Sequence, residues 1–186
     1  NKKINKILKG PYFPFFLPNK QYDDLGSALQ NSYIPALKKS FESVNNNTNF
    51  EFTNHCKENL SNQLTVCPKS RHQNLISFMS KNITVGLYFP CLSEFSFSAS
   101  IEQLNYLPDN FSLAGGYDTF STFIGSPNLL QREKGYPPLL WLGSLQSTFP
   151  NIGYHIEAYG YNLTFNRRPH LNQKAEYWFH SLVNFE

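Results

Sequence analysis

The fold is decided at Ile83-Thr84-Val85-Gly86-Leu87-Tyr88-Phe89 and the residues that follow it, Glu94-Phe95-Ser96-Phe97-Ser98-Ala99-Ser100-Ile101-Glu102-Gln103-Leu104. The first stretch is β-branched and aromatic, which is the composition of a strand that packs on a pleated surface. In the second, Phe95, Phe97, Ala99 and Ile101 alternate with Ser96, Ser98, Ser100 and Glu102. That period of two predicts a half-buried strand with one polar face. Pro90-Cys91-Leu92-Ser93 is short enough to join the two as a hairpin.

Working outward, Phe50-Glu51-Phe52-Thr53 and Leu64-Thr65-Val66-Cys67 read as short strands, and Leu75, Ile76 and Met79 place a helix over 72–81. Ile152 to Phe165 alternates throughout and reads as one strand. Its reading puts His155, Glu157, Tyr159, Tyr161, Leu163 and Phe165 on one face and Tyr154, Ile156 and Ala158 on the other. Toward the N-terminus, Asp23 and Asp24 are N-cap residues for a helix over about 24–32, and a second helix runs from Ile34 to about Val44 with Pro35 in its first turn. Residues 105–136 are punctuated by Gly115-Gly116, Gly125 and Pro127 and read as ordered loop, with one strand over Thr119 to Ile124. Leu139, Leu142, Leu145 and Phe149 share a helical stripe over 138–149. Ala175, Trp178, Phe179, Leu182 and Val183 give the chain a C-terminal amphipathic helix over 172–184.

The sum is an α+β domain: an antiparallel sheet with strands near 50–53, 64–67, 83–89, 94–104 and 152–165, packed by N-terminal helices and a C-terminal amphipathic helix. Residues 1–20 form a basic, proline- and aromatic-rich arm and 21–186 one globular domain. The arm carries Lys2, Lys3, Lys6, Lys9 and Lys20 and no acid, so the rest of the chain sums to −2 although the total is +3. Its second half, Gly10-Pro11-Tyr12-Phe13-Pro14-Phe15-Phe16-Leu17-Pro18, is held extended by its prolines. Such an aromatic strap packs on its own core or on a partner.

Composition narrows the function classes. Charged residues are 16%, against roughly 25% in ordinary soluble domains, and aromatics also reach 16%, with 17 Phe and 11 Tyr. That apolar content argues against intrinsic disorder. No run approaches the roughly 18 apolar residues of a membrane span. Low charge with 21 Asn is the style of exported more than of cytoplasmic proteins, and five sequons begin at Asn46, Asn59, Asn82, Asn110 and Asn162. Cys56, Cys67 and Cys91 are an odd set; Cys56 and Cys67 would close a small loop in an oxidising compartment, and would otherwise be buried thiols.

Chemical motifs are sparse. His55-Cys56, Cys67 and His72 offer four zinc-type ligands, without the short Cys–Cys bite of specific zinc motifs. Cys91 as a nucleophile, with His155, His170 or His180 as base and Asp118 as orienter, lacks the local signatures of cysteine proteases. Leu113-Ala114-Gly115-Gly116-Tyr117-Asp118 resembles the opening of the LAGLIDADG endonuclease motif at four positions, departs at Phe120 and Ser121, and reads as a turn. His155-Ile156-Glu157 puts a base and an acid on one strand face, but the Pro-Cys-x-x-Cys of zinc deaminases is missing. Arg167-Arg168 and the basic arm are too little for a nucleic-acid footprint. No cofactor is expected.

The leading expectation is a non-enzymatic binding domain, exported, with a protein or carbohydrate partner and no nucleic acid. Its contacts would come from Phe13, Phe15 and Phe16 of the strap and from His155, Glu157, Tyr159 and Tyr161. The alternatives are a hydrolase or transferase with its site near Cys91, Asp118 and His155, and a structural subunit of a larger assembly.

Overall fold

The computed structural model describes residues 9–44, 50–89, 94–130, 139–159, 161–169, 175–176 and 179–182. Strand β1, Phe13–Leu17, takes the proline strap into a sheet. The N-terminal helical part is one run in three pieces: α1, Leu25–Ala28; a π-helical turn, Leu29–Tyr33; and α2, Ile34–Ser43. Asp24 caps it, its carboxylate accepting from the Ser27 N–H at 2.6 Å. The run passes through Pro35, where two separate helices were expected. A proline removes one helical hydrogen bond and crowds the carbonyl four residues back. Here the backbone widens ahead of it, the Ile34 N–H donating to the Leu29 carbonyl, and the helix continues.

The next elements are β2, Glu51–Asn54; β3, Leu64–Val66; α3, His72–Met79; and β4, Thr84–Phe89. All four lie where periodicity places them. The strand expected over 94–104 does not form as such: β5 is Glu94–Phe95 and α4 is Phe97–Leu104. Phe97, Ile101 and Leu104 fit a helical stripe as well as an alternating one, and the Ser96 hydroxyl settles it by accepting from the Ala99 N–H at 3.3 Å as an N-cap.

After β6, Phe111–Leu113, the strand expected over 119–124 is instead helix α5, Tyr117–Gly125. Tyr117, Phe120 and Phe123 are three apart and all buried. The helix expected over 138–149 is replaced by β7, Leu139–Trp141, and β8, Leu145–Ser147. Gly143 breaks the stripe between them, and each strand finds a partner elsewhere. The single strand over 152–165 is a hairpin, β9 Ile152–Tyr159 and β10 Asn162–Pro169. Finally, within the expected C-terminal helix, residues 175–176 and 179–182 are strands, β11 Ala175–Glu176 and β12 Phe179–Leu182. β12 lies between β4 and β6 and is paired on both edges, which satisfies its backbone better than a solvated helix would.

Among the described residues the strands make three sheets. The first, in the order β1-β4-β12-β6, is antiparallel throughout. The second runs β2-β10-β9-β7-β11-β5, with β2–β10 and β7–β11 parallel and the rest antiparallel. The third is the pair β3-β8. The main core joins Phe15, Leu17, Leu37, Phe41, Phe120, Phe123, Ile156, Leu163 and Phe165. A second apolar cluster, Phe89, Leu104, Leu107, Phe111, Leu113 and Trp141, ties the first sheet to the second through α4.

Candidate functional site

Strand alternation divides the strap. Phe15 and Leu17 are each 1% exposed and enter the main core, whereas Phe16 is 63% exposed and Tyr12 58%. Phe13 is half-buried against the core. On the outer face Pro14 lies opposite Leu87 and Phe16 opposite Val85, and the Tyr12 ring meets Phe89 at 6.4 Å. Ile83, just before β4 and of the same parity as Val85 and Leu87, is 72% exposed. The result is an apolar rim of Tyr12, Pro14, Phe16, Ile83, Val85 and Leu87 at the end of the first sheet.

An edge strand offers its unpaired backbone to any passing strand. Here that route is narrowed. The Ser121 hydroxyl of α5 donates to the Phe16 carbonyl at 2.6 Å, so the backbone groups of Phe16 face away from β4. Pro14, two residues earlier, faces the same way and has no N–H to give. The rim therefore presents side chains more than a free ladder.

The second surface is the outer face of β9–β10. The hairpin register sets His155 opposite Asn166 and Glu157 opposite Thr164, while Ile156 meets Phe165 and Ala158 meets Leu163. Leu163 and Phe165 thus share the core face with Ile156, not the His155 face as expected from one continuous strand; the antiparallel pairing of β9 with β10 resets the parity. His155 is 1% exposed, with Trp141 of β7 directly opposite and their rings edge-to-face at 5.1 Å. Its Nε2 is 3.7 Å from Glu157 Oε2. Burial, and then the Arg168 guanidinium, push its pKa down to about 4. Tyr161 is 52% exposed and packs edge-to-face on Phe50 at 5.2 Å. The Tyr159 side chain lies outside the described residues. Of the expected contact residues, then, Phe13, Phe15 and Phe16 lie on one sheet and His155 and Glu157 on another, with Tyr161 as the turn residue before β10 and with Phe15 and His155 turned inward.

A third constellation was hidden in the sequence. His72 and Asp118 are both fully buried, with His72 Nδ1 3.9 Å from Asp118 Oδ1. Asp118 stands in the first turn of α5 and accepts from the Gly116 N–H at 2.9 Å. That position favours a carboxylate through the unpaired N–H groups of the helix start. Gly115 takes φ +132°, a region for glycine, and a side chain there would strike the backbone of Leu142 and Gly143. Beside it Arg71 holds φ 61°, its guanidinium donating to the Pro108 carbonyl at 2.9 Å. The signals available in sequence were Gly115-Gly116 before a helix start and a carboxylate two residues on. The zinc-type set takes His72 with His55, Cys56 and Cys67, and the nucleophile reading takes Asp118 with Cys91, so neither joins the two. With no exposure at either group, the pair fastens α3 to the turn before α5.

Cys91 and His170 lie outside the described residues, and so does the side chain of His180. Cys56 and Cys67 are separate buried thiols, not the disulfide an oxidising compartment would give. Burial pushes the Cys56 thiol up to about 12, and that of Cys67 upward too, so neither is a ready thiolate. Cys67 borders a shallow crevice of about 160 Å³ with Leu145, Ser147, Phe149 and Ile152. Among the described residues no three His, Cys, Asp or Glu side chains are placed to hold a metal ion, and no helix is long and apolar enough to cross a membrane. Comparison with protein-family models, curated proteins and solved structures finds no match.

Proposed function

We propose that this protein is a non-enzymatic binding domain that receives a protein partner on the rim formed by Tyr12, Pro14 and Phe16 of β1 with Ile83, Val85 and Leu87. The observation that carries the reading is the exposure of Phe16, Tyr12 and Ile83 along one face of the β1–β4 pair at 63%, 58% and 72%. Scattered apolar residues on a surface need no explanation, but a contiguous apolar patch with rigid aromatics is what protein interfaces use as anchors. The strand under it is fixed from both sides, by β4 and by the Ser121 hydroxyl, so the rim is preorganised. Recognition runs through side chains, because Pro14 and Ser121 close the backbone edge.

The test places a photo-crosslinking residue at position 16 in an extract of the source cells. One discrete protein adduct is expected, competed by excess unlabelled domain and lost when Tyr12→Asp or Ile83→Asp is added, with unfolding midpoints unchanged. A smear of adducts, or an adduct indifferent to both charges, would refute the reading. A glycan as the sole ligand would refute it as well.

A further inference from the structure

The outer face of β9–β10 carries two buried polar atoms with nothing to bond to: Nδ1 of His155 and Nε of Arg168. The two residues are diagonal neighbours, since His155 faces Asn166 and Arg168 stands two further along β10. Gly153, opposite Arg168 in register, has no side chain, so the guanidinium reaches across β9 and lies 5.6 Å over the Trp141 ring. Trp141 in turn packs on His155. The charge of Arg168 is permanent, and no carboxylate among the described side chains comes within ion-pair distance of it. A buried donor left unpaired on a charged group is costly, and a fold keeps such a group where something else completes it.

The geometry points to an oxyanion site here, in which the Arg168 guanidinium and the His155 ring together hold one carboxylate or phosphate group. Arginine matches both groups with paired N–H donors. The Glu157 carboxylate beside Nε2 assigns the ring proton to that nitrogen, which leaves Nδ1 as a lone pair in the empty site. The oxyanion therefore binds with uptake of one proton at Nδ1, and the imidazolium then bridges Glu157 on one side and the ligand on the other. Among the described side chains, the charged groups facing His155 are Glu157 on its own strand and Arg168 on β10; Trp141 on β7 does not titrate, and α4, packed on the same cluster, carries the exposed Glu102. The site stands on a different sheet from the apolar rim, and its test involves none of the rim residues.

The experiment follows the His155 ring and the Trp141 indole N–H of the full chain by NMR. Inorganic phosphate and acetate are titrated separately, with sodium chloride at matched ionic strength as control. A saturable shift is expected with Kd of about millimolar order. Phosphate saturating alone assigns a phosphorylated ligand, and acetate saturating as well assigns an acidic side chain. Affinity rises toward tenfold per pH unit as the solution is acidified, the slope of one bound proton. Arg168→Gln weakens binding at least tenfold, and Glu157→Gln, which removes the carboxylate that supports the imidazolium, weakens it severalfold. Should Arg168→Gln not fold, Arg168→Lys keeps a charge but not the fork and is expected to lose most of the affinity. No saturable shift, a chloride effect equal to that of phosphate, or unchanged binding in both Arg168 variants would overturn the site.

Discussion

Replacing Gly116 by alanine tests the packing at the His72–Asp118 junction. A Cβ built there falls 2.8 Å from His72 Cε1 and 3.2 Å from its Cδ2, with the ring nitrogen between them closer still. Relaxed contacts lie near 3.6 Å, so the ring must retreat by about 0.8 Å or more. It has nowhere to go: His72 is fully buried, and on its other side Asp118 stands 3.9 Å away, held by the turn that carries the mutation. Overpacking of this kind costs about 1–3 kcal/mol, and a ring with no room to retreat puts Gly116→Ala in the upper half of that range. Gly125→Ala at the other end of the same helix is the internal control, because a Cβ there meets nothing within 4 Å. That change removes unfolded-state entropy and is expected to stabilise by about 0.4–1 kcal/mol. The assay is urea unfolding at neutral pH, with both variants read as midpoint shifts at constant slope. If Gly116→Ala matched wild type to within about 0.5 kcal/mol, the surface-mutation range, the rigid junction would be refuted.

Three further outcomes are expected. His155 is neutral in the fold, and its proton affinity is restored on unfolding; with a folded pKa of about 4, stability falls as pH drops from about 6.5 to about 4, by on the order of 2–3 kcal/mol. In phosphate-free buffer that slope should vanish in His155→Gln, and its persistence would move the titration elsewhere. Phe15→Ala should cost about 3–5 kcal/mol, while its neighbour Phe16→Ala should leave the unfolding midpoint within about 0.5 kcal/mol of wild type; equal costs would contradict the register of β1. Asp24→Ala should cost about 1–2 kcal/mol, because it strips acceptors from the Ser27 and Asn62 N–H groups. Burial raises the Asp24 pKa, but those hydrogen bonds outweigh it and lower it overall, so this contribution holds above about pH 3.9 and is lost as pH falls through the folded value.

The elements that sequence made legible are those whose local signals agree. Thr84–Phe89 is β-branched and aromatic in one unbroken run, and Asp24 precedes a helical stripe with no competing period. Where two periods fit the same residues, local reading chose wrongly. Phe97, Ile101 and Leu104 serve a helix, yet Phe95, Phe97, Ala99 and Ile101 serve a strand equally well; one hydroxyl, Ser96, tipped the balance. Leu139, Leu142 and Leu145 are spaced for a helix, but β9 and β3 each offered a ladder, and Gly143 weakened the helical alternative. The fate of Phe179–Leu182 was least accessible. Its strand exists because β4 and β6 leave a gap between them, a fact about residues far away in the chain.

The candidate surfaces follow the same division between local and distant causes. That the strap must be extended and aromatic is written in its prolines. Which aromatics face outward is not: Phe15 and Phe16 are adjacent and alike, and only the pairing of Phe16 with Val85 sends one into the core and the other into solvent. His155 and Glu157 were found because a strand places residues two apart on one face. Arg168 carries no such signal in the sequence, because its place beside His155 depends on the chain reversing between β9 and β10, which one long strand would deny. Once the chain turns there, β10 returns Arg168 to the level of Gly153, and the absent side chain lets it lie on Trp141. The glycine and the arginine are each unremarkable alone. Their register sets a half-buried guanidinium with an unpaired, buried Nε beside a histidine with an unpaired ring nitrogen, and that coincidence is what an oxyanion would complete.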